Sequence, residues 1–140
     1  MRYLALLGRA AFATIFLLTA FGHFSPQTIA YSAQQGVPLA GLLVPASGLL
    51  ALAGGLSVLL GYRARLGAWA LVLFLVPVTL TMHAFWTMSD PMTAQLHQAM
   101  FLKNVSMLGG ALLIAYHGAG ELSLDARRHA PVRRTEEAIA

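Results

Sequence analysis

Long apolar runs alternate with short polar breaks along nearly the whole chain, covering roughly Leu4–Phe24, Leu39–Gly61, Leu66–Trp86 and Gln98–Tyr116. Each holds about the 20 residues that a helix rising ~1.5 Å per residue needs to cross a ~30 Å hydrocarbon core. The pattern predicts an all-α bundle of four transmembrane helices. Backbone groups then bond within each helix, and buried polar side chains become the informative residues. One four-helix domain over residues 1–126 is expected, with a basic cytoplasmic tail over 127–140.

The polar breaks carry their own signals. The first, SPQTIAYSAQQGVP, places Pro26 at a helix-start position and Gly36–Pro38 at a stop. Its middle, Thr28–Gln35, predicts a short helix lying on the outer membrane surface, anchored by Ile29 and Tyr31. Pro77 removes one backbone bond inside the third run and predicts a kink. Ser47, Ala51 and Gly55 recur every four residues on the second run, as do Ser106 and Gly110 on the fourth. Such stripes let backbones approach in lipid and predict helix–helix seams. The first run opens LGRAAF and ends GHF, the third opens LGAWAL and ends MHAF, and the second and fourth each carry a glycine pair. A duplicated helical hairpin would produce this pattern; so would the ordinary reuse of Leu, Ala and Gly by membrane helices.

Composition agrees with the periodicity: 58% of residues are hydrophobic and 10% charged, with a mean hydropathy of +0.69. A soluble domain of this size would need far more polar surface. The net charge of +4 raises the question of nucleic acid, but its distribution points to a bilayer. Arg2 precedes the first run, Arg63 and Arg65 lie in the second break, and Arg127, Arg128, Arg133 and Arg134 follow the fourth. The breaks Ser25–Pro38 and Thr87–His97 contain neither Lys nor Arg. The positive-inside rule then puts both termini and the Arg63/Arg65 turn in the cytoplasm of a bacterial inner-membrane protein. The tail arginines are expected to meet anionic headgroups. The N-terminal stretch imitates a secretory signal, yet cleaving it would put the Arg63/Arg65 turn and the Arg-rich tail on opposite sides, so it is read as a retained helix. The chain has no cysteine, which excludes dithiol chemistry and thiolate metal sites within it.

The candidate chemistry lies in polar residues within the apolar runs. Arg9, Ala13, Phe16, Ala20 and His23 share one helical stripe, which predicts a face turned to the bundle interior. At the outer end, His23 closes the first run, His83 lies near the end of the third, and Lys103 and Asn104 lie about 7.5 Å into the fourth. His97, Asp90 and Trp86 adjoin them. An intramembrane lysine beside an asparagine is costly without partners; interfacial anchoring is the structural alternative. Donors of this kind suit a quinone, whose carbonyl oxygens need hydrogen bonds and whose ring needs apolar walls, and histidine can carry the accompanying protons. A bis-histidine haem on His23 and His83 is the weaker reading, since no haem motif accompanies them. A metal ion would want three or four ligands where only His97 is left to add, so no metal site is expected.

The segments LGRAAFATIFLLTAFGHF, QTIAYSAQQGVP, GLLALAGGLSVLLG, HAFW, FLKN and GAGELSLDAR, in that order, resemble the DoxX family of bacterial inner-membrane proteins. The resemblance spans roughly residues 4–127 and implies four helices loosely tied to quinone-linked redox systems. Arg9, Gly22, Gly36, Pro38, Gly54, Gly55, Lys103 and Asn104 match the family's usual residue types. Two positions depart from it: Ala51 stands where an acidic residue is common, and His23 where a lysine is. A buried cation at Arg9 or Lys103 must then find another partner. The site residues expected from pattern and resemblance together are His23, His83, Lys103, Asn104 and Arg9.

Three functions fit this sequence: a quinone-interacting subunit of a membrane redox complex, a non-catalytic scaffold that assembles a larger complex, and a small-solute permease. Four spans leave little room for alternating access, which ranks transport last. No flavin or nucleotide motif is present, so any redox cycle needs partner subunits. Expected partners are the lipid bilayer, membrane or peripheral redox subunits, or further copies of the chain, and not nucleic acid.

Overall fold

A computed structural model describes residues 2–129, which are helical with short connections and contain no strand. The elements are α1 (Arg2–Thr19), a 3-10 turn (Ala20–Phe24), α2 (Pro26–Gln34), α3 (Ala40–Leu60), α4 (Ala64–Met82), a second 3-10 turn (Phe85–Thr87), α5 (Pro91–His117) and α6 (Leu124–His129). Four of them, α1 with its 3-10 turn, α3, α4 and α5, are long and apolar enough to cross a membrane. Of the expected tail, residues 127–129 belong to α6 and 130–140 lie outside the described residues.

The spans pack in chain order, α1 on α3, α3 on α4 and α4 on α5, while α2 lies across α3 and the first 3-10 turn. Lipid supplies little hydrophobic drive between helices, so close backbone approach carries the association. On α3 the buried stripe is Ala40, Val44, Gly48, Ala51, Gly54, Gly55 and Val58. A Cβ on Gly48 would lie 2.7 Å from His23 Cβ, and one on Gly54 would lie 2.8 Å from Leu71. Gly55 faces Leu17 and Phe16, and Gly67 of α4 faces Ser57. The predicted seam is thus present at Ala51 and Gly55, with Gly48 rather than Ser47 making the approach to the first span. On α5 the expected stripe divides: Gly110 sits under the Phe12 ring, while Ser106 is exposed. Phe16 stands at the centre, 6.1 Å edge-on from Phe74, with Val58, Leu71 and Leu75 fully buried around it.

Three boundaries differ from the hydropathy reading. The fourth span begins at Pro91, not Gln98, because Asp90 caps it: its carboxylate accepts from Thr93 N–H at 2.7 Å, and Pro91 supplies the first turn. Hydropathy overlooks a polar turn that a cap stabilises. The third span starts at Ala64 and ends at Met82, where His83 leaves helical geometry. α4 continues through Pro77, with Thr81 Oγ1 donating to Pro77 O at 2.7 Å. A short helix forms in the first break as expected, starting at Pro26 rather than Thr28, with Ser25 as its N-cap accepting from Thr28 N–H.

Candidate functional site

The two ends of the bundle place polar groups differently. At the end that carries Arg63 and Arg65, α3 stops at Gly61, whose φ of +64° suits glycine. Gly61 N–H donates to Val58 O and Tyr62 N–H to Ser57 O, a Schellman-type stop. Arg9 reaches this stop from α1: its Nη1 donates to Val58 O at 3.2 Å and its Nη2 to Leu122 O. The guanidinium thus adds a second bond to a carbonyl at the end of α3 and ties that end to Leu122, just before α6. Asp125 completes the arrangement. Its Oδ1 accepts from Arg63 N–H at 2.7 Å and its Oδ2 from Ala64 N–H at 3.0 Å, so a residue on α6 caps α4. Asp125 N–H donates in turn to Gly61 O at 2.8 Å, and its charge attracts Arg9. Those caps support Arg63 at φ +48°, a left-handed conformation uncommon for a residue with a Cβ.

At the opposite end a cavity of about 700 Å³ lies between α2, α3 and α4. Its walls are mostly apolar, including Val44, Leu50, Phe74, Pro77 and Val78, with His23, His83, Ser32 and Thr81 as polar groups. Leu43 and Leu73 line it while remaining 43% and 64% exposed, so it opens sideways toward the lipid-facing surface between α3 and α4. His23 is delivered by the 3-10 turn after α1 and lies against Gly48, its ring 5.5 Å from that of Phe74. His83 terminates α4. The buried Nδ1 atoms of both His23 and His83 have no hydrogen-bond partner among the described residues.

Beside the cavity, on α5, the His97 ring lies 5.5 Å from that of His83. His97 Nδ1 lies 3.1 Å from Met82 O. A carbonyl only accepts, so Nδ1 carries the proton there and Nε2 is left as acceptor in the neutral ring. Lys103 is exposed, its Nζ turned back along α5 to Met100 Sδ at 3.6 Å, in the direction of the histidines. Its charge still acts on His83. Asn104, one residue on, is 4% exposed and faces the bundle.

The structure therefore brings His23 and His83 together on one cavity wall. Lys103 and Asn104 stand outside that wall on α5, and Arg9 is held at the far end. Trp86 and Phe101, candidates for aromatic walls, stack with Phe85 at 5.2–5.8 Å in a separate cluster. Sequence reasoning missed Phe74, Pro77 and Thr81 as lining residues, although Leu73, Pro77 and Thr81 share an i, i+4 face of α4. It also missed Asp125, which was visible only as part of GAGELSLDAR.

Four apolar spans in sequential packing, with arginines at one end and a histidine-lined lateral cavity at the other, define a small multi-pass membrane protein. The DoxX family model matches residues 4–84, more than half of the chain, and the SURF4 family model matches residues 47–130. This chain belongs to the DoxX family. It is also similar to the inner membrane protein YphA of Escherichia coli strain K12, at 28% identity over 126 residues and 89% of each chain. No solved structure matches it.

Proposed function

We propose that the chain is a bacterial inner-membrane protein that holds a quinone headgroup in the lateral cavity and serves a redox complex completed by other subunits. The observation that carries this reading is the cavity of about 700 Å³ with two histidines on an apolar wall. Its size falls within the ~300–1,000 Å³ usual for small-molecule sites, and the few polar groups suit two carbonyl oxygens. Histidines unpartnered at Nδ1 can donate to those oxygens, while a prenyl tail leaves between Leu43 and Leu73 into lipid. With the arginine end cytoplasmic, the cavity lies in the outer leaflet.

The test is binding of ubiquinone-1 to the detergent-purified protein by equilibrium dialysis. Saturable binding that weakens roughly tenfold in His23→Phe and in His83→Phe, the effect of about 1.4 kcal/mol for a lost donor, supports the reading. No saturable binding, or binding indifferent to both changes, removes it. A second reading, the accessory scaffold, draws on the exposed position of Lys103: a charge on the outer face of a span suits a contact with another subunit. Lys103→Met then releases a co-purifying subunit and leaves quinone binding intact.

A further inference from the structure

At the arginine end lies a second concavity, an open groove of about 570 Å³ that the quinone reading does not use. Arg63, Arg65 and Leu66 form one wall, Gly118, Ala119 and Gly120 the floor, and Ser123, Asp125 and Ala126 the other wall. We infer that this groove binds the phosphate of an anionic membrane lipid, with Arg65 and Arg63 as the charged contacts.

Four observations support the inference. First, both arginine side chains are exposed at the groove, Arg65 on the first turn of α4 and Arg63 on a backbone held by its neighbours. Arg63 N–H is bonded to Asp125, and Arg63 O accepts from Leu66 N–H at 2.9 Å and Gly67 N–H at 3.1 Å. The guanidinium groups are free of hydrogen bonds to carboxylates among the described residues, Arg63 resting over the Tyr62 ring at 5.8 Å, and suit the planar, bidentate recognition of phosphate oxygens. Second, the acidic residue in the groove is engaged elsewhere: both Asp125 oxygens accept from the start of α4. Its charge therefore fixes the wall on which the arginines stand. Third, the floor is backbone. Gly118 and Gly120 have φ of +81° and +78°, and a Cβ on Gly118 would approach Arg65 Nε to 3.5 Å, so the loop passes close beneath Arg65. Fourth, an apolar path leads from the groove along the spans. Leu66 is 64% exposed, Trp69 one turn further along α4 is 55%, and Tyr116 near the end of α5 is 78%. Aromatic rings at this level are typical of the membrane interface. A phosphate on the arginines with acyl chains along Leu66 and Trp69 satisfies both halves of the surface at once. Soluble phosphate would use only the first, which is why the assignment is to a lipid. Phosphates lie at this level in either leaflet, so the site does not depend on which way the bundle is inserted.

The test reconstitutes the full chain in nanodiscs of phosphatidylcholine containing a minor fraction of phosphatidylglycerol, and counts retained phosphatidylglycerol by native mass spectrometry after release. Arg65→Gln should retain roughly fivefold less, the effect of losing one arginine contact at the membrane surface. Arg127→Gln, which removes an equal charge from the same end outside the groove, should change retention little. Circular dichroism and gel filtration confirm that each variant folds. Equal losses for Arg65→Gln and Arg127→Gln would reveal diffuse attraction and overturn the site, as would undiminished retention in the Arg63→Gln/Arg65→Gln double variant. Displacement of the bound phosphatidylglycerol by millimolar inorganic phosphate would reassign the groove to a soluble anion. None of these outcomes depends on the histidine cavity, so the quinone reading stands or falls separately.

Discussion

The two ends of this bundle apply opposite rules to their polar groups. At the arginine end, Arg9, Val58, Gly61, Leu122 and Asp125 are linked across α1, α3, α4 and α6 by bonds between residues as many as 113 positions apart. Among the buried side-chain nitrogens and oxygens of the described residues there, Arg9 Nε alone lacks a partner. At the histidine end, His23 and His83 present buried nitrogens without partners beside an apolar space. Satisfied buried polar groups rigidify a fold, whereas unsatisfied ones cost stability and persist where something else uses them. The contrast makes the arginine end the more cross-linked one and leaves unmet buried nitrogens at the cavity, the feature on which the proposed quinone reading rests. Arg9 is the clearest case. Its burial answers the question raised by Ala51: the cation's partners are helix-end carbonyls and Asp125, not an acid on the second span.

The strongest challenge to this contrast is at Gly61. A Cβ there would collide with Arg9 Nη1 and lie 2.5 Å from Ser123 Cβ, in a left-handed conformation besides. Gly61→Ala and Arg9→Met should each cost about 3 kcal/mol, from strain in the first and from the lost guanidinium bonds to Val58 O and Leu122 O and the lost attraction to Asp125 in the second. Unfolding of the detergent-solubilised protein measures this, and a loss below about 1 kcal/mol in both would show that the arginine end is not the stabilising one.

Between the ends, Gly54→Leu forces a side chain into Leu71 and the Gly67 carbonyl. It should cost about 2 kcal/mol by overpacking. Unchanged melting would mean that the seam between α3 and α4 has slack that the geometry does not suggest.

At the histidine end the expected sign differs. His23→Phe and His83→Phe each remove a buried nitrogen without a partner, so stability should change by less than about 1 kcal/mol while ubiquinone-1 binding falls. A loss of stability as large as that of Arg9→Met would erase the distinction between the ends.

The smallest effect concerns pH. Asp90 lies outside the spans, and hydrogen bonds from the Thr93 hydroxyl and N–H hold its carboxyl below the ordinary aspartate value. A depressed folded-state value contributes stability above the unfolded pKa of about 3.9 and loses it as pH falls through the lower folded value. Asp90→Asn should therefore narrow its stability difference from the parent chain as pH drops below about 4, and leave the profile between pH 6 and 8 unshifted. A stability difference that stays constant as pH falls well below 4 would contradict the cap.

Much of the fold was legible because lipid imposes a strong, local rule: about 20 apolar residues in a row form a span, whatever they later touch. The four spans, the short helix after Ser25 and the inward stripe Arg9–Ala13–Phe16–Ala20 follow from spacing and caps alone. Where a local cap competes with hydropathy, as at Asp90 and Pro91, the boundary was misread although the signal was present. Tertiary structure decided what distance in sequence conceals. That Asp125 caps α4, that Arg9 binds the end of α3, and that His83 faces a cavity with His23 while Lys103 faces outward depend on helix rotation. A rotation of 100° separates neighbours such as Lys103 and Asn104, and only packing at Gly48, Gly54 and Gly67 fixes its value.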